Sequence, residues 1–292
     1  MSVVRGLDHI VHAVRDLDAA AALYKSLGFT VGARNRHSRE WGTQNHIVQL
    51  PDTFIELLAV TSPEGIAPHG PRSFSFGAFN RDFLAHAQGL SMLVLKGRGA
   101  LDVAEFAAKG IGDFALYEFE RTGKRPDGST LTLGFSLAFA ADPGAPDAGF
   151  FTCQHRHPPS DFWNAEFQKH GNGASAVAGI VAAAAEPARH RDFLAAFADG
   201  TATAVDGGFR IDTPRGAIET ITPDAFTRRF GVKAPDASRG LRLAAIRFTV
   251  ADASLMQAIP ELAGIAGIYA GGPVVVGAED ALGAVLVFEP SG

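Results

Sequence analysis

Hydrophobic and polar positions in the first 60 residues follow two different periods. An apolar run at residues 7–14, "LDHIVHAV", is typical of a buried strand. Residues 16–29 place Ala, Leu and Tyr at helical spacing, with acidic residues in the first turn and Gly28 as a C-terminal stop. Extended runs divided by polar or glycine-bearing turns then occupy residues 30–37, 44–50 and 53–60. The predicted order is strand, helix, strand, strand, strand.

The same order recurs further along the chain. A second unit has strand 90–95, helix 100–110 and strands 115–122, 131–140 and 149–155. A third unit spans residues 176–223. The fourth begins at residue 241, includes a predicted helix at 253–265, and is short enough that we expect it to lack one strand.

One βαβββ unit cannot bury its own sheet, so such units are expected in pairs. About four units therefore predict an α+β protein made of two half-barrel-paired domains, at residues 1–160 and 175–292. The polar stretch 160–174, which carries a Gly-Asn-Gly turn, is the expected boundary. Residues 61–89 are too rich in Phe for a solvated linker and are predicted to pack, partly over a pocket.

Composition narrows the function classes. The 22 Phe against three Tyr and two Trp favour an apolar core or pocket. A net charge of −5 argues against a nucleic-acid-binding face. The single Cys153 excludes an internal disulfide, and neither a signal peptide nor an apolar run of about 18 residues is seen. These features predict a soluble, cytoplasmic protein without a membrane partner.

Two polar residues in apolar strands are the main candidates for chemistry. His9 and His12 lie on opposite faces of the first predicted strand. Glu56 stands in "FIELLAV", where an ionised carboxylate is costly unless it is paired or binds a metal. The alternatives are a hydrogen-bonded core histidine, and a glutamate that pairs with an arginine or faces solvent.

A short hairpin would fix which neighbours accompany Glu56. If Pro51-Asp52 is a two-residue turn, Ile47 pairs with Glu56, and Asn45 lies on the same face while His46 lies on the other. Asn45 is therefore a candidate substrate-binding residue. His37 belongs to a basic run with three arginines, which predicts a solvated loop or, less simply, an anion-binding lid.

The segments "LDHIVHAVRDLDAAAALYKSLGF", "GTQNHIVQL" and "TFIELLAV" resemble the vicinal-oxygen-chelate superfamily, and more narrowly its glyoxalase-like domain proteins. The superfamily includes glyoxalase I, extradiol dioxygenases and metal-free drug-sequestering proteins. The resemblance implies a metal ligand on the first strand of a unit and a carboxylate on the fourth. His9 and Glu56 match these positions, for a divalent ion such as Zn, Fe, Mn or Ni. Glu56 could instead act as a catalytic base.

The second unit departs from this pattern. The position matching His9 is near Met92, a poor ligand for a hard ion, and the position matching Glu56 falls between Thr152 and Gln154. Gln154 or His155 is expected to complete the ligand shell or to bind substrate, with His157 as a further nitrogen donor. The alternative is a strand end that reaches solvent. Cys153 is either a reactive thiol or an inert buried one.

The second half offers less chemistry. Gly179 and Ala245 match His9, and Glu219 matches Glu56 without a histidine partner, while Glu289 is close to the chain end. We expect this half to lack a metal site and to cover the pocket or form a homodimer contact.

The leading hypothesis is a metal-dependent lyase, isomerase or ring-cleavage dioxygenase that acts on a small apolar or aromatic substrate with vicinal oxygens. Its rivals are a metal-free small-molecule-binding protein of the same fold, and a vestigial fold that mediates assembly.

Overall fold

A computed structural model describes residues 4–124, 128–251, 266–268 and 273–290. In these ranges, strands assemble into two eight-stranded sheets. The strands of the first sheet are β1 (Leu7–Ala13), β2 (Asn35–Arg36), β3 (Thr43–Leu50), β4 (Thr53–Val60), β5 (Gly89–Lys96), β6 (Tyr117–Lys124), β7 (Thr130–Ala140) and β8 (Gly149–His155). Those of the second are β9 (Ala174–Ala183), β10 (Ala202–Val205), β11 (Gly208–Asp212), β12 (Ala217–Ile221), β13 (Arg242–Val250), β14 (Ala266–Ile268), β15 (Val274–Val276) and β16 (Val285–Pro290).

The helices of the described residues lie between or beside these strands. They are α1 (Leu17–Ser26), α2 (Phe76–Leu84), α3 (Ala100–Ala108), α4 (Pro159–Phe162), α5 (Arg191–Ala198) and α6 (Pro223–Phe230). Asp16 begins α1 by accepting hydrogen bonds from two backbone amides, and Gly28 follows its end with a φ of 82°. None of the helices in the described ranges is both long and apolar enough to span a membrane.

Strand order shows the repeated unit directly. The first sheet runs β2-β3-β4-β1-β5-β8-β7-β6, and the second runs β10-β11-β12-β9-β13-β16-β15-β14. Within each unit the first strand pairs in parallel with the last, and the first strands of two units pair antiparallel at the centre of the sheet. The predicted α+β fold of paired βαβββ half-barrels is therefore confirmed, while the two domain bounds stay a prediction.

Two details differ from the sequence prediction. The strand expected at residues 30–37 is reduced to β2, and the fourth unit does contain its full set of strands because β14 pairs with β15. The expectation of a missing strand was wrong, since β14 has only three residues and gives a weak pattern. The helix predicted at 253–265 lies outside the described residues.

One apolar core joins the two sheets. Phe29, just after α1, packs against Phe248 of the second sheet, with ring centroids 5.0 Å apart. The buried His12 also connects the halves, because its Nε2 lies 3.1 Å from the backbone oxygen of Leu282. The two sheets therefore share one hydrophobic core.

Each sheet also has a face that is turned away from the shared core, and these two faces differ. In the first sheet, this face carries a cluster of aromatic residues that surrounds a cavity. In the second, α6 inserts Phe226 and Phe230 against Val181, Ala245 and Val287, so that the corresponding space is filled. This helix was not predicted, although Thr222 and Pro223 form a typical helix start.

Candidate functional site

The cavity of the first sheet is aromatic with a few polar groups. Seven aromatic side chains line it, together with five polar ones: His9, His37, Asn45, Glu56 and Arg121. Its enclosed volume is about 50 Å³, and the empty space is about 460 Å³ when the mouth open to solvent is included. Small-molecule sites usually measure roughly 300–1,000 Å³, so the enclosed part alone is too small for an aromatic ligand, which would also occupy the open mouth.

Glu56 lies at the polar centre of this cavity and is 6% exposed. Asn45 Nδ2 donates to Glu56 Oε1 at 2.5 Å. The predicted hairpin register produces this contact, because Leu50 pairs with Thr53 and Ile47 pairs with Glu56. Among the described residues, two histidines have a ring nitrogen within 4.0 Å of this carboxylate, namely His9 and His37. No lysine or arginine of the described residues comes as close.

His9 is held in a defined orientation by Asp8. His9 Nδ1 donates to Asp8 Oδ1 at 2.7 Å, and its ring stacks on Phe54 at 4.3 Å. Burial alone would raise the pKa of Asp8, but hydrogen bonds with His155 and His9 hold it below its ordinary value. Asp8 is therefore ionised, and His9 Nε2 is left facing Glu56 Oε2 at 3.8 Å, too far for a hydrogen bond.

His37 is the functional residue that the sequence reasoning misplaced. Its side chain is 9% exposed and lines the cavity, instead of belonging to a solvated basic loop. Its Nδ1 lies 2.7 Å from Thr43 Oγ1, and its Nε2 lies 3.6 Å from Glu56 Oε1. Burial lowers the pKa of His37, with the Glu56 charge opposing this in part, so the imidazole is neutral at neutral pH.

Of the other predicted site residues, one lines the cavity and the rest lie outside its lining. Asn45 lines the cavity, whereas His46 turns away and hydrogen-bonds the backbone oxygen of Gly32. Strand β8 points Phe151 and Cys153 into the cavity, so alternation places Gln154 on the opposite face, against Gly99. His155 is on the cavity side of β8 but beyond its lining, where Nε2 lies 3.4 Å from Asp8 Oδ1. His157 bonds the backbone oxygen of Gly134.

Strand register identifies the counterparts of His9 and Glu56 in the second unit. Val11 pairs with Glu56 in the first unit, and Val94 pairs with Phe151 in the second. Phe151 thus occupies the position that the sequence placed between Thr152 and Gln154, and this assignment was wrong by at least one residue. Met92 is the symmetric counterpart of His9 in the second unit. His9 pairs with Val94 across β1 and β5, and Met92 pairs in the same way with Val11, the counterpart of Val94. Neither Met92 nor Phe151 offers a hard-metal ligand.

A second donor cluster lies at the edge of the cavity and includes the lining residue Cys153. Ligand atoms of Asp8, Cys153 and His155 lie within 4.8 Å of one another. The ammonium of Lys96 is 2.7 Å from Asp8 Oδ2 and already supplies a positive charge there. Burial raises the pKa of Cys153, which keeps its thiol protonated at neutral pH. This cluster is therefore less suited to a cation than the Glu56 site.

Glu219, the counterpart of Glu56 in the third unit, is used differently. It pairs with Val181 across β9 and β12, as Glu56 pairs with Val11. Its carboxylate forms ion pairs with Arg210, Arg229 and Arg247 instead of facing imidazoles. Within the described part of the second sheet, these arginines and α6 occupy the place that corresponds to the Glu56 site.

Paired βαβββ units with a histidine on a first strand and a carboxylate on the fourth define a member of the vicinal-oxygen-chelate superfamily. The family model described as "Glyoxalase-like domain" matches residues 7–197. The chain belongs to this glyoxalase-like family. A comparison with curated protein sequences found no match.

Solved structures with the same fold are distant in sequence. A hypothetical protein from Staphylococcus aureus is 12% identical, with a TM-score of 0.68 over 99% of this chain and 100% of its own. A mutant of 4-hydroxymandelate synthase from Streptomyces coelicolor is 12% identical, with a TM-score of 0.55 and coverage of 99% and 92%. A variant of homoprotocatechuate 2,3-dioxygenase from B. fuscum is 11% identical, with a TM-score of 0.55 and coverage of 99% and 72%. At these identities the likeness concerns the fold alone.

Proposed function

We propose that the chain is a metal-dependent enzyme of the glyoxalase-like family that acts on a small aromatic substrate with vicinal oxygens. The observation that carries the proposal is the buried carboxylate of Glu56, which faces two imidazoles and no ammonium or guanidinium within 4.0 Å among the described residues. A buried charge in this position is costly unless a cation or a proton-donating ligand binds it.

The donor types suit a divalent ion, but the ligand atoms of His9, His37 and Glu56 do not all lie within 4.8 Å of one another, so a shared ion would require them to move closer together. His9 Nε2 and Glu56 Oε2 would be its first ligands, and His37 Nε2 would be a third donor beside Glu56 Oε1. Two imidazoles and one carboxylate form a ligand set that suits borderline divalent metals. When bound, the ion would polarise substrate oxygens as a Lewis acid.

The residues of the chain would perform the remaining work. Asp8 holds the His9 ring, and Asn45 holds Glu56 Oε1. The aromatic walls exclude water and favour a flat apolar substrate. This lining supports ring-cleavage chemistry, and two structural neighbours are named as a synthase of 4-hydroxymandelate and a dioxygenase of homoprotocatechuate.

Elemental analysis of untagged protein tests the metal site. We expect near-stoichiometric divalent metal in the wild type and its loss in both His9→Ala and Glu56→Gln. His46→Ala is the matched control, because this neighbouring histidine points to Gly32 and should leave the metal in place. EDTA should lower the Tm of the wild type only if the metal binds the folded state.

A metal-free binding protein is the second candidate function. It is favoured by Met92 and Phe151, which occupy the two symmetric positions where further ligands would stand. Wild-type protein that takes up no Zn, Mn, Fe or Ni after incubation, and whose Tm ignores EDTA, would refute the metalloenzyme and support this account.

Asp8→Asn should weaken metal binding by about 10–100-fold, the usual effect of losing a carboxylate that orients a ligating histidine. The reason is that an amide in place of the carboxylate no longer fixes the proton on His9 Nδ1. The measurement is a zinc titration against a competing chelator. Lys96→Gln is the control, because Lys96 contacts Asp8 Oδ2 without touching His9, and it should change affinity less than threefold. Equal effects of the two variants would contradict an orienting role for Asp8.

A further inference from the structure

Arg121 is a charged group of the cavity that the proposed metal site does not use. It lies on the edge strand β6, whose alternation turns Phe119 and Arg121 inward while Glu118 and Glu120 stay exposed. The guanidinium lies over the ring of Phe135, with its carbon 6.0 Å from the centroid. Within the described residues, its hydrogen bonding is limited to one long contact from Nη1 to Asn35 Oδ1, at 3.4 Å.

A row of amides separates Arg121 from Glu56 along one wall of the cavity. Arg121 Nη1 donates to Asn35, Asn35 Nδ2 donates to Asn45 Oδ1 at 3.2 Å, and Asn45 Nδ2 donates to Glu56 Oε1 at 2.5 Å. The two opposite charges thus share the cavity without an ion pair between them. The cavity therefore has a cationic end and an end that carries the carboxylate and imidazoles.

Arg121 is partly buried, and among the described residues only its contact with Asn35 uses one of its donors, so leaving the others without a partner is costly. A guanidinium has five N–H donors in a planar fork that matches a carboxylate. Removal from water lowers the pKa of Arg121, although the Glu56 charge acts in the opposite direction. An anionic group that enters the cavity would satisfy these donors and compensate the charge.

We infer that Arg121 binds the carboxylate of the substrate, and that the substrate class is a small aromatic carboxylate. This inference rests on the proposed function, since it concerns the same cavity. The aromatic ring lies between the phenylalanine walls, the carboxylate meets Arg121, and the oxygens at the opposite end of the ligand face Glu56 and His9. A single guanidinium in a small aromatic cavity matches a monoanion with a flat body.

Binding of matched ligand pairs tests the inference. Benzoate, phenylacetate and 3-phenylpropanoate are each titrated calorimetrically beside the corresponding primary amide, which keeps the shape and removes the charge. We expect the wild type to bind at least one of the acids ten times more tightly than its amide. Arg121→Gln should abolish this preference, and Arg121→Lys should restore part of it because the charge returns without the planar fork. Arg36→Gln is the control, since Arg36 is exposed on the edge strand β2, at the other end of the strand order, and does not line the main cavity.

Three results would overturn the inference: no acid bound better than its amide, an unchanged preference in Arg121→Gln, or an equal loss in Arg36→Gln. Circular dichroism of each variant shows whether it is folded, and Arg121→Lys serves if Arg121→Gln is not. Metal content measured on the same samples separates this result from the proposed function. A carboxylate preference in a wild type that binds no metal would support the role of Arg121 and refute the proposed metalloenzyme. Bound metal without a carboxylate preference would support the metalloenzyme and refute the role of Arg121.

Discussion

In the metal-free protein, Glu219→Gln is expected to lower the free energy of unfolding by about 3 kcal/mol, whereas Glu56→Gln should leave it unchanged or raise it. The two glutamates occupy the same position of the repeated unit and are similarly buried, at 2% and 6% exposed. Their partners differ. Glu219 is surrounded by guanidinium groups, while Glu56 is surrounded by an amide and two imidazoles.

The expected magnitude follows from what each substitution leaves behind. Breaking a buried ion pair typically costs about 3–5 kcal/mol, because the remaining charge is uncompensated. Arg247 keeps Glu289 as a bidentate partner, at 2.8 and 2.7 Å, and the other two arginines are about a third exposed, so the low end applies. Glu56→Gln instead removes a buried carboxylate that has no ammonium or guanidinium within 4.0 Å among the described residues, so no strong ion pair is lost.

Urea denaturation of the two variants and the wild type at pH 7.5, all in EDTA so that bound metal does not contribute, measures this difference. Equal destabilisation by both substitutions would mean that Glu56 is a structural residue, and it would weaken the case for a ligand at that site. A neutral Glu219→Gln would mean that solvent, Glu289 and Asp212 are enough to compensate the charges of the three arginines.

The part of the site that local pattern determines was predictable. The two-residue turn at Pro51-Asp52 fixes the hairpin register, and the φ of 59° at Asp52 is positive, as a type II turn with proline at its first central position requires at the second. From this register, Asn45 was correctly placed beside Glu56, and His46 was correctly placed on the other face. His9 and Glu56 follow from apolar strands that have no other reason to carry polar residues.

The residues that were missed depend on distant parts of the chain. His37 follows a two-residue strand, so its direction is set by pairing with β3 and not by any pattern of its own. Arg121 lies in "YEFERT", which has the alternation of an exposed edge strand, and only the closure of the sheet shows which face is inside. Phe162 belongs to a polar segment that looked like a linker, yet it lines the cavity. The register of β8 depends on the path of the loop at residues 141–148, and this path cannot be read from the sequence pattern.

Acidification should remove about 3 kcal/mol of stability through His12 alone. Burial lowers the pKa of His12 to about 4, with the nearby positive charge of Arg242 acting in the same direction and the Leu282 hydrogen bond opposing it. The unfolded chain has an ordinary histidine pKa of about 6.5, so between pH 6.5 and 4 it binds more protons than the folded chain does. Stability from this group is therefore complete above pH 6.5 and is lost as the pH falls to about 4.

His12→Gln isolates the effect, because glutamine does not titrate and its amide can still donate toward Leu282. Urea denaturation from pH 7.5 to 4 should give a shallower loss of stability in the variant than in the wild type. Burial also lowers the pKa values of His37, His157 and His170, and their contributions cancel in the difference. Parallel curves would contradict a neutral buried His12. NMR titration of the wild-type imidazole provides an independent measurement, and a His12 pKa near 6.5 would move the acid sensitivity away from this contact between the two sheets.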